Sequence, residues 1–176
     1  MPLQLLPVYN HPPRRIMELY KNSFPEYERR TWSDQVLLVE EKKVMLLELV
    51  LDNVFAGCMF YWPLSDFIFI EHFAIHTDCR GKGTGTLAMQ MMKEQYSMIV
   101  LETEPAIQNT AATRRIQFYE NLGFKIFPFP YQQPPYHPGN PPINMHLMHN
   151  SHRNTATGFE KIKNEIYQTV YQLPLS

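Results

Sequence analysis

The amino-acid sequence points to a mixed α/β (α+β) fold, with a mostly antiparallel central sheet, flanking helices and a C-terminal helix. Three features carry this expectation. Two apolar runs, 44–51 and 54–62, are separated only by the turn-forming pair Asp52-Asn53, and a third β-favouring run, 67–75, follows a turn at 63–66. Immediately after a glycine cluster the apolar spacing changes from a strand period to a helical one. Finally, 176 residues that are 44% hydrophobic and 19% charged suit one domain with its own core, neither two such domains nor a disordered chain.

The elements follow in order. Residues 3–8 can form a first strand. Pro12 and Pro13 suit a helix start, with Ile16, Leu19 and Tyr20 at helical spacing. Phe24-Pro25 interrupts that helix, and 26–34 reads as a second short helical piece. The three strands above come next. Beyond the glycines, Leu87, Ala88, Met91, Met92 and Gln95 fit one helical face, and 97–103 reads as a buried strand. Asn109 or Thr110 can cap a helix running to about Leu122, with Gly123 just past its end. A short strand at 124–127 follows. Seven of the fifteen prolines lie in 128–142, which is expected to be an extended, irregular surface loop. Residues 143–149 return as a last strand. Phe159, Ile162, Ile166, Val170 and Leu173 then form an apolar stripe on a helix over 157–172, packed on its own sheet or serving as a dimer seam. The organisation expected is one domain, 1–176, with a core over 1–149 and a helical extension over 150–176.

Composition limits the function. Sixteen Lys+Arg against seventeen Asp+Glu leave a net charge of -1, so no basic footprint for nucleic acid is present. Two cysteines, Cys58 and Cys79, make neither a disulfide framework nor a metal-binding pattern, which suits a reducing interior. The first residues lack a basic stretch before an apolar run, and the most apolar segment is broken by Glu48, Asp52 and Asn53. A cytoplasmic protein without a membrane span is expected. His146, His149 and His152 are spaced by three, which alternates faces on a strand, so no metal site is expected.

Three of the seven glycines, Gly81, Gly83 and Gly85, fall within five residues between a strand and a helix. Such glycines let main-chain N–H groups converge on a ligand, and the helix N-terminus behind them adds about half a positive charge. The combination suits a phosphate or pyrophosphate, with Arg80 and Lys82 in support. The loop does not match GxxxxGK[ST]. Residues 83–88 do satisfy G-x-G-x-x-A, and Glu102 and Glu104 lie downstream after a strand, so a dinucleotide fold is an alternative. Against it, two candidate hairpins precede the glycines, whereas that fingerprint follows the first strand of a parallel sheet.

Arg80-Gly81-Lys82-Gly83-Thr84-Gly85 resembles R/Q-x-x-G-x-G/A, the acyl-CoA loop of the GNAT superfamily of N-acetyltransferases. Phe118-Tyr119-Glu120-Asn121-Leu122-Gly123-Phe124 resembles the superfamily's second signature, an aromatic-Tyr-x-x-x-Gly-Phe at a helix end. The two stand in the family's order with one helix and one strand between them, and the likeness extends over about 3–149. The resemblance implies a sheet splayed between 67–75 and 97–103. The pantetheine arm of acetyl-CoA would then lie along the backbone of Phe73, Ala74 and Ile75. Its pyrophosphate would rest on Arg80, Gly81, Lys82, Gly83, Thr84, Gly85 and Thr86. Many members carry an Asn seven residues before the Tyr; here that residue is Ala112, and Asn109 is the nearest stand-in.

The activity implied is acetyl transfer from acetyl-CoA to a primary amine, a small molecule or a peptide N-terminus, by direct attack in a ternary complex. A non-catalytic acyl-CoA sensor on the same fold is the alternative of a different class. Transfer needs a neutral amine, an oxyanion donor and a stabilised thiolate. Glu71 is the first candidate base. Strand alternation puts it on one face with Phe67, Phe69, Phe73 and Ile75, and a carboxylate among aromatics is costly unless hydrogen-bonded or used. His72 and His76 are expected on the opposite face. Glu102 and Glu104 are alternatives acting through water. Tyr119 is the candidate acid, by its place in the second signature, and a backbone N–H near Phe73 or Ala74 would meet the oxyanion. Phe24, Tyr27, Trp62, Tyr131 and Tyr136 are expected as aromatic walls of the acceptor pocket, with Glu26 and Glu28 attracting a cation. Monomer and homodimer both remain open.

Overall fold

The computed structural model describes residues 2–107, 109–152 and 154–174. Strand β1 (Leu3–Val8) is followed by helix α1 (Arg14–Ser23), which starts directly after Pro13 and buries Ile16, Leu19 and Tyr20. The expected helical piece at 26–34 is two elements. Glu26–Glu28 form one 3-10 turn, and helix α2 (Trp32–Glu40) begins where the Thr31 hydroxyl accepts from Asp34 N at 3.2 Å. Gln35, Leu38 and Val39 are buried beneath it, which carries the helix beyond residue 34.

Strands β2 (Met45–Leu51), β3 (Val54–Pro63) and β4 (Ile68–Ile75) form the expected antiparallel meander. The β2–β3 turn places Asp52 and Asn53 at φ 53° and 62°, the left-handed pair of a two-residue hairpin. Helix α3 (Thr84–Gln95), strand β5 (Ile99–Thr103), helix α4 (Thr110–Asn121), strand β6 (Lys125–Ile126), strand β7 (Tyr131–Gln133), strand β8 (Ile143–His149) and helix α5 (Ala156–Thr169) complete the order. Helix α3 is rotated from the face the spacing suggested. Thr84, Ala88, Met89 and Met92 are buried, whereas Leu87 is exposed and Met91 only partly buried. The proline segment is not wholly irregular. Tyr131 and Gln133 pair with Met145 and Ile143 of β8 and are buried.

The sheet runs β1-β2-β3-β4-β5-β8-β6, with β7 added on β8. Its only parallel pair among the described residues is β4–β5. One face buries Tyr20, Leu38, Phe60, Phe69, Phe127, Phe159 and Ile166 under α1, α2 and α5. The other buries Leu49, Met59, Ile70, Leu101, Met89, Met92 and Ile116 under α3 and α4. The α5 stripe packs into the first of these cores, with Phe159 against Phe127 and Phe129 at ring separations of 5.3 and 5.1 Å.

Two irregularities position the site. The β4–β5 ladder covers only Ile68–Ile70 against Ile99–Leu101, after which the strands part. In the β3–β4 ladder, Phe60 opposes His72 while Tyr61 opposes Ile70, so Glu71 is an extra, unpaired residue: a β-bulge. The bulge shifts the alternation by one. Phe67 and Phe69 precede it on the first core's face, but His72 and Ala74 continue that face, and Phe73 and Ile75 move to the other. His72 therefore lies on the side expected for Glu71, packed on Tyr20 and Phe24 at 5.1 and 4.6 Å.

Beyond the bulge, β3 must approach β4 closely at Gly57, where a β-carbon would lie 2.4 Å from the Ala74 carbonyl oxygen. Neither backbone can yield without breaking the ladder. Gly57→Ala is expected to cost about 1–3 kcal/mol of stability, the range for overpacking, read as a lower denaturant midpoint at unchanged slope.

Candidate active site

The parted strands open a cavity of about 880 Å³. Its walls include Phe73, Ala74 and Ile75 of β4, Leu101 and Glu102 of β5, the glycine loop and Tyr119 of α4. Past Ile70 and Leu101 the facing edges have no ladder partner, so main-chain N–H and C=O groups border the gap.

Gly81 and Gly83 adopt φ 71° and 78°, left-handed conformations that favour glycine, and Gly83 is the residue from which α3 departs. Among the described residues, the amide N–H groups from Gly81 to Thr86 have no recorded acceptor; the first amide of the helix to find one is Leu87, on Gly83 O at 3.0 Å. Main-chain donors left open at a helix N-terminus suit an anion. The Thr84 hydroxyl braces the loop from within, donating to Cys79 O at 3.0 Å, and Arg80 Nε ties it to the strand end through Ile75 O at 2.9 Å. Arg80, Gly81, Gly83, Thr84, Gly85, Thr86 and Asn109 line the cavity; Lys82 does not. The Asn109 side-chain oxygen is taken by the α4 cap, accepting from Ala112 N at 2.8 Å.

Tyr119 lines the cavity between Phe118 and Phe124, and its hydroxyl has no hydrogen-bond partner among the described residues. Burial pushes the phenol up to about 12. It is thus a donor that stays protonated at neutral pH.

The two carboxylates on the parting strands have different surroundings. The Glu71 side chain is fully buried, and what remains exposed of that residue is main chain at the bulge. Its carboxylate accepts from Arg30, from Trp62 Nε1 at 3.0 Å and from the Tyr136 hydroxyl at 3.1 Å. Burial opposes ionisation, but Arg30 with these donors outweighs it and holds the pKa below the ordinary range. The adjacent His72 is pushed down to about 4 by burial and stays neutral. Among the described residues, Glu102 has no cationic partner. It accepts from the Tyr131 hydroxyl at 2.5 Å, Gln133 Nε2 at 2.6 Å and the Tyr171 hydroxyl at 2.9 Å to each oxygen. Burial is the larger effect here and raises the carboxyl to about 7.

The sequence model of the Acetyltransferase (GNAT) domain matches residues 33–126, more than half of the chain. The chain belongs to the GNAT acetyltransferase family. A GNAT-family protein of Bacteroides thetaiotaomicron is 28% identical, with a TM-score of 0.86 and 92% of each chain covered. YjbC of Bacillus subtilis (strain 168), named only provisionally as an acetyltransferase, is 29% identical over 68 residues, 38% of this chain and 35% of YjbC, so the match spans about a third of that relative. A GNAT acetyltransferase of Elizabethkingia anophelis solved with acetyl-CoA bound shares the fold at 18% identity and a TM-score of 0.53, covering 84% of this chain and 96% of that one.

Set on the GNAT fold, the cavity divides in two. The matched span holds β4, the glycine loop, Asn109 and Tyr119. The other end is lined largely from outside it, by Asn22, Phe24, Glu28, Gln133 and Met145, together with Glu104. Glu28 lines the cavity and Glu26 does not. Burial, then Glu104, raise the Glu28 carboxyl, while Arg115, which pairs with Glu104 at 3.3 Å, pulls it down. Of the expected aromatic walls only Phe24 lines the cavity; Trp62, Tyr131 and Tyr136 instead hydrogen-bond the two carboxylates. Sequence reasoning did not find Arg30, Gln133 or Tyr171. They meet the carboxylates across 41, 31 and 69 residues of chain, beyond the reach of any local spacing. Among the described residues no group of three or more His, Cys, Asp or Glu could hold a metal ion, and no helix is long and apolar enough to cross a membrane.

Removing the charge of Glu71 leaves the Arg30 guanidinium buried without its counter-ion. Glu71→Gln is expected to lose about 3–5 kcal/mol of stability at pH 7 in urea unfolding. Because the folded-state pKa of Glu71 is depressed, its contribution is complete above the unfolded carboxylate value and is lost as pH falls through the folded one. The gap between wild type and variant must therefore narrow in acid.

Proposed function

We propose that this GNAT protein transfers an acetyl group from acetyl-CoA to a primary amine by direct attack in a ternary complex. The observation that carries the reading is the row of amide donors from Gly81 to Thr86, opening on a cavity that Tyr119 and Glu102 also line. The amides at the start of α3 suit the pyrophosphate, and the open edge of Phe73, Ala74 and Ile75 suits the amide-bearing pantetheine arm. The structures of the Elizabethkingia protein with acetyl-CoA and of Arabidopsis thaliana Naa50 with a bisubstrate analogue, CoA-Ac-MVNAL, support this direction through the shared fold.

At pH 7 an alkyl amine with a pKa of roughly 10 is neutral in about one molecule in a thousand. A base is required, and we assign that role to Glu102 rather than Glu71. Glu71 is ionised, but its ion pair with Arg30 reduces its proton affinity. Glu102, raised to about 7, is balanced between accepting and releasing a proton near neutrality. The ammonium gives its proton to Glu102, and the nitrogen lone pair attacks the thioester carbonyl. A main-chain N–H of β4 beside the bulge meets the oxyanion. As the tetrahedral intermediate collapses, the C–S bond breaks, the sulfur takes the electron pair, and the nitrogen loses its remaining extra proton to solvent to leave a neutral amide. Tyr119 donates a hydrogen bond to that thiolate. Its high pKa makes full proton transfer uphill, so its contribution is stabilisation of the leaving group.

The decisive experiment is free-thiol release from acetyl-CoA across a panel of small amines and peptides with free N-termini. Release with at least one acceptor supports the reading. Acetyl-CoA binding with no release would make the protein a binding domain, and tighter uptake of a nicotinamide dinucleotide than of coenzyme A would overturn it altogether. At saturating amine, kcat should rise with pH through an apparent pKa near 7. Glu102→Gln is expected to remove that limb and lower kcat at least 100-fold, whereas Glu71→Gln, assayed where it is folded, keeps the limb. Tyr119→Phe is expected to reduce kcat at least tenfold while the Kd for acetyl-CoA stays within about threefold, separating leaving-group stabilisation from packing.

A further inference from the structure

We propose that Tyr171, just past the end of α5, is a positioning residue for Glu102: its hydroxyl bridges both carboxylate oxygens and holds them in a proton-accepting arrangement. This rests on the reading of Glu102 as the base. Tyr171 is the only donor that reaches both oxygens among the described residues, at 2.9 Å to each; Tyr131 serves Oε1 alone and Gln133 serves Oε2 alone. Tyr131 and Gln133 come from β7, where the ladder to β8 fixes them. Tyr171 arrives from the C-terminal segment, across 69 residues of sequence and outside the span matched by the family.

That segment is anchored in a way that aims the hydroxyl. Arg30 Nη2 donates to Val170 O at 2.7 Å, the Tyr167 hydroxyl donates to Gln132 O at 2.6 Å, and Tyr171 N returns to Ile166 O at 3.3 Å. Val170 itself is buried, so the main chain beside Tyr171 cannot swing freely. Arg30 also pairs with Glu71, so one guanidinium fixes both the neighbouring carboxylate and the strand of chain that carries Tyr171.

The groups facing Glu102 can be named element by element. Strand β7 supplies Tyr131 and Gln133, and the C-terminal segment supplies Tyr171. The 134–142 segment supplies Tyr136, whose hydroxyl lies 3.5 Å from that of Tyr171. Strand β4 supplies Glu71, whose charge is answered by Arg30. Among the described residues, the ionised form of Glu102 is therefore sustained by three neutral donors and no cation. Deleting one of them must weaken the ionised form and shift its titration upward.

The test is Tyr171→Phe, with Tyr167→Phe, which makes no hydrogen bond to Glu102, as the control for loosening the same segment. In Tyr171→Phe the kcat limb is expected to move up by about one pH unit, so that activity falls several-fold at pH 7 and recovers above pH 8, while affinity for acetyl-CoA is unchanged. Tyr167→Phe should leave the limb in place. A limb that stays put in Tyr171→Phe, or one that moves equally in both variants, would overturn the proposal. If no amine is turned over, the Glu102 carboxyl can be followed directly by carbon NMR, assigned by its disappearance in Glu102→Gln. An upward shift in Tyr171→Phe sustains the positioning role, and an unmoved titration rejects it. A limb lost in Tyr171→Phe but retained in Glu102→Gln would reject Glu102 as the base and with it this role.

Discussion

Strand β4 carries one residue more than β3 can pair, and that residue is Glu71. Most of the site follows from this single irregularity. A bulge bends its strand, and β4 stays in register with β5 for only three residues before the two diverge. Divergence leaves the facing edges of the two strands without ladder partners among the described residues, and main-chain donors and acceptors bordering a gap are what an amide-bearing ligand can use. The bulge also exchanges the faces of β4. It sends His72 into the aromatic core under α1 and leaves the Glu71 main chain facing the cavity while its side chain is buried beside Arg30.

The two carboxylates flanking the divergence show how environment separates chemically identical groups. Desolvation alone would raise both. Glu71 has a guanidinium, and the ionised form wins. Glu102 has hydroxyls and an amide, which stabilise the anion less than they would if one of them were charged, so burial prevails and the carboxyl sits near 7. A pair of titratable groups pushed in opposite directions is a pattern that acid–base chemistry uses. The assignment of roles rests on this difference in partners more than on position along the strands.

The sequence carried the strand meander, the glycine loop and the Tyr119 signature because each rests on local turn chemistry or short spacing. Asp52-Asn53 has turn chemistry, Gly81 and Gly83 adopt left-handed angles, and Gly123 follows α4 at φ 86°. What it did not carry depends on main-chain events without a composition signal. Nothing in Phe67-Ile68-Phe69-Ile70-Glu71-His72 announces a bulge, and simple alternation therefore put His72 on the wrong face. The same holds for α3, where apolar residues surround much of the helix and Leu87 and Met91 proved no better placed than Met89. The shell around Glu102 was invisible for another reason. The prolines of 128–142 suggest irregular chain, yet Tyr131 and Gln133 form a short strand because β8 offers a free edge there.

The division of the cavity has a consequence for how such a protein acquires its acceptor. The residues that would hold the acyl donor fall inside the span matched by the family, where the ligand chemistry is constant and local main chain does the recognition. The opposite end is lined from segments before and after that span, Phe24 and Glu28 ahead of α2 and Gln133 from β7, and Tyr171 beyond α5 bonds Glu102 behind it. These segments meet only in the folded state and are joined to one another, through His137 onto Glu26 O and Arg29 O at 3.0 Å each and through Arg30 onto Val170 O. Acceptor recognition built this way can change by altering the flanking segments without disturbing the glycine loop. The proposed base is the exception, since Glu102 belongs to the shared β5 but, among the described residues, takes its side-chain hydrogen-bond donors from the later segments. Its proton affinity then depends on the flanks, so on the proposed mechanism the segments that line the acceptor end would also set the pH at which an acceptor is deprotonated.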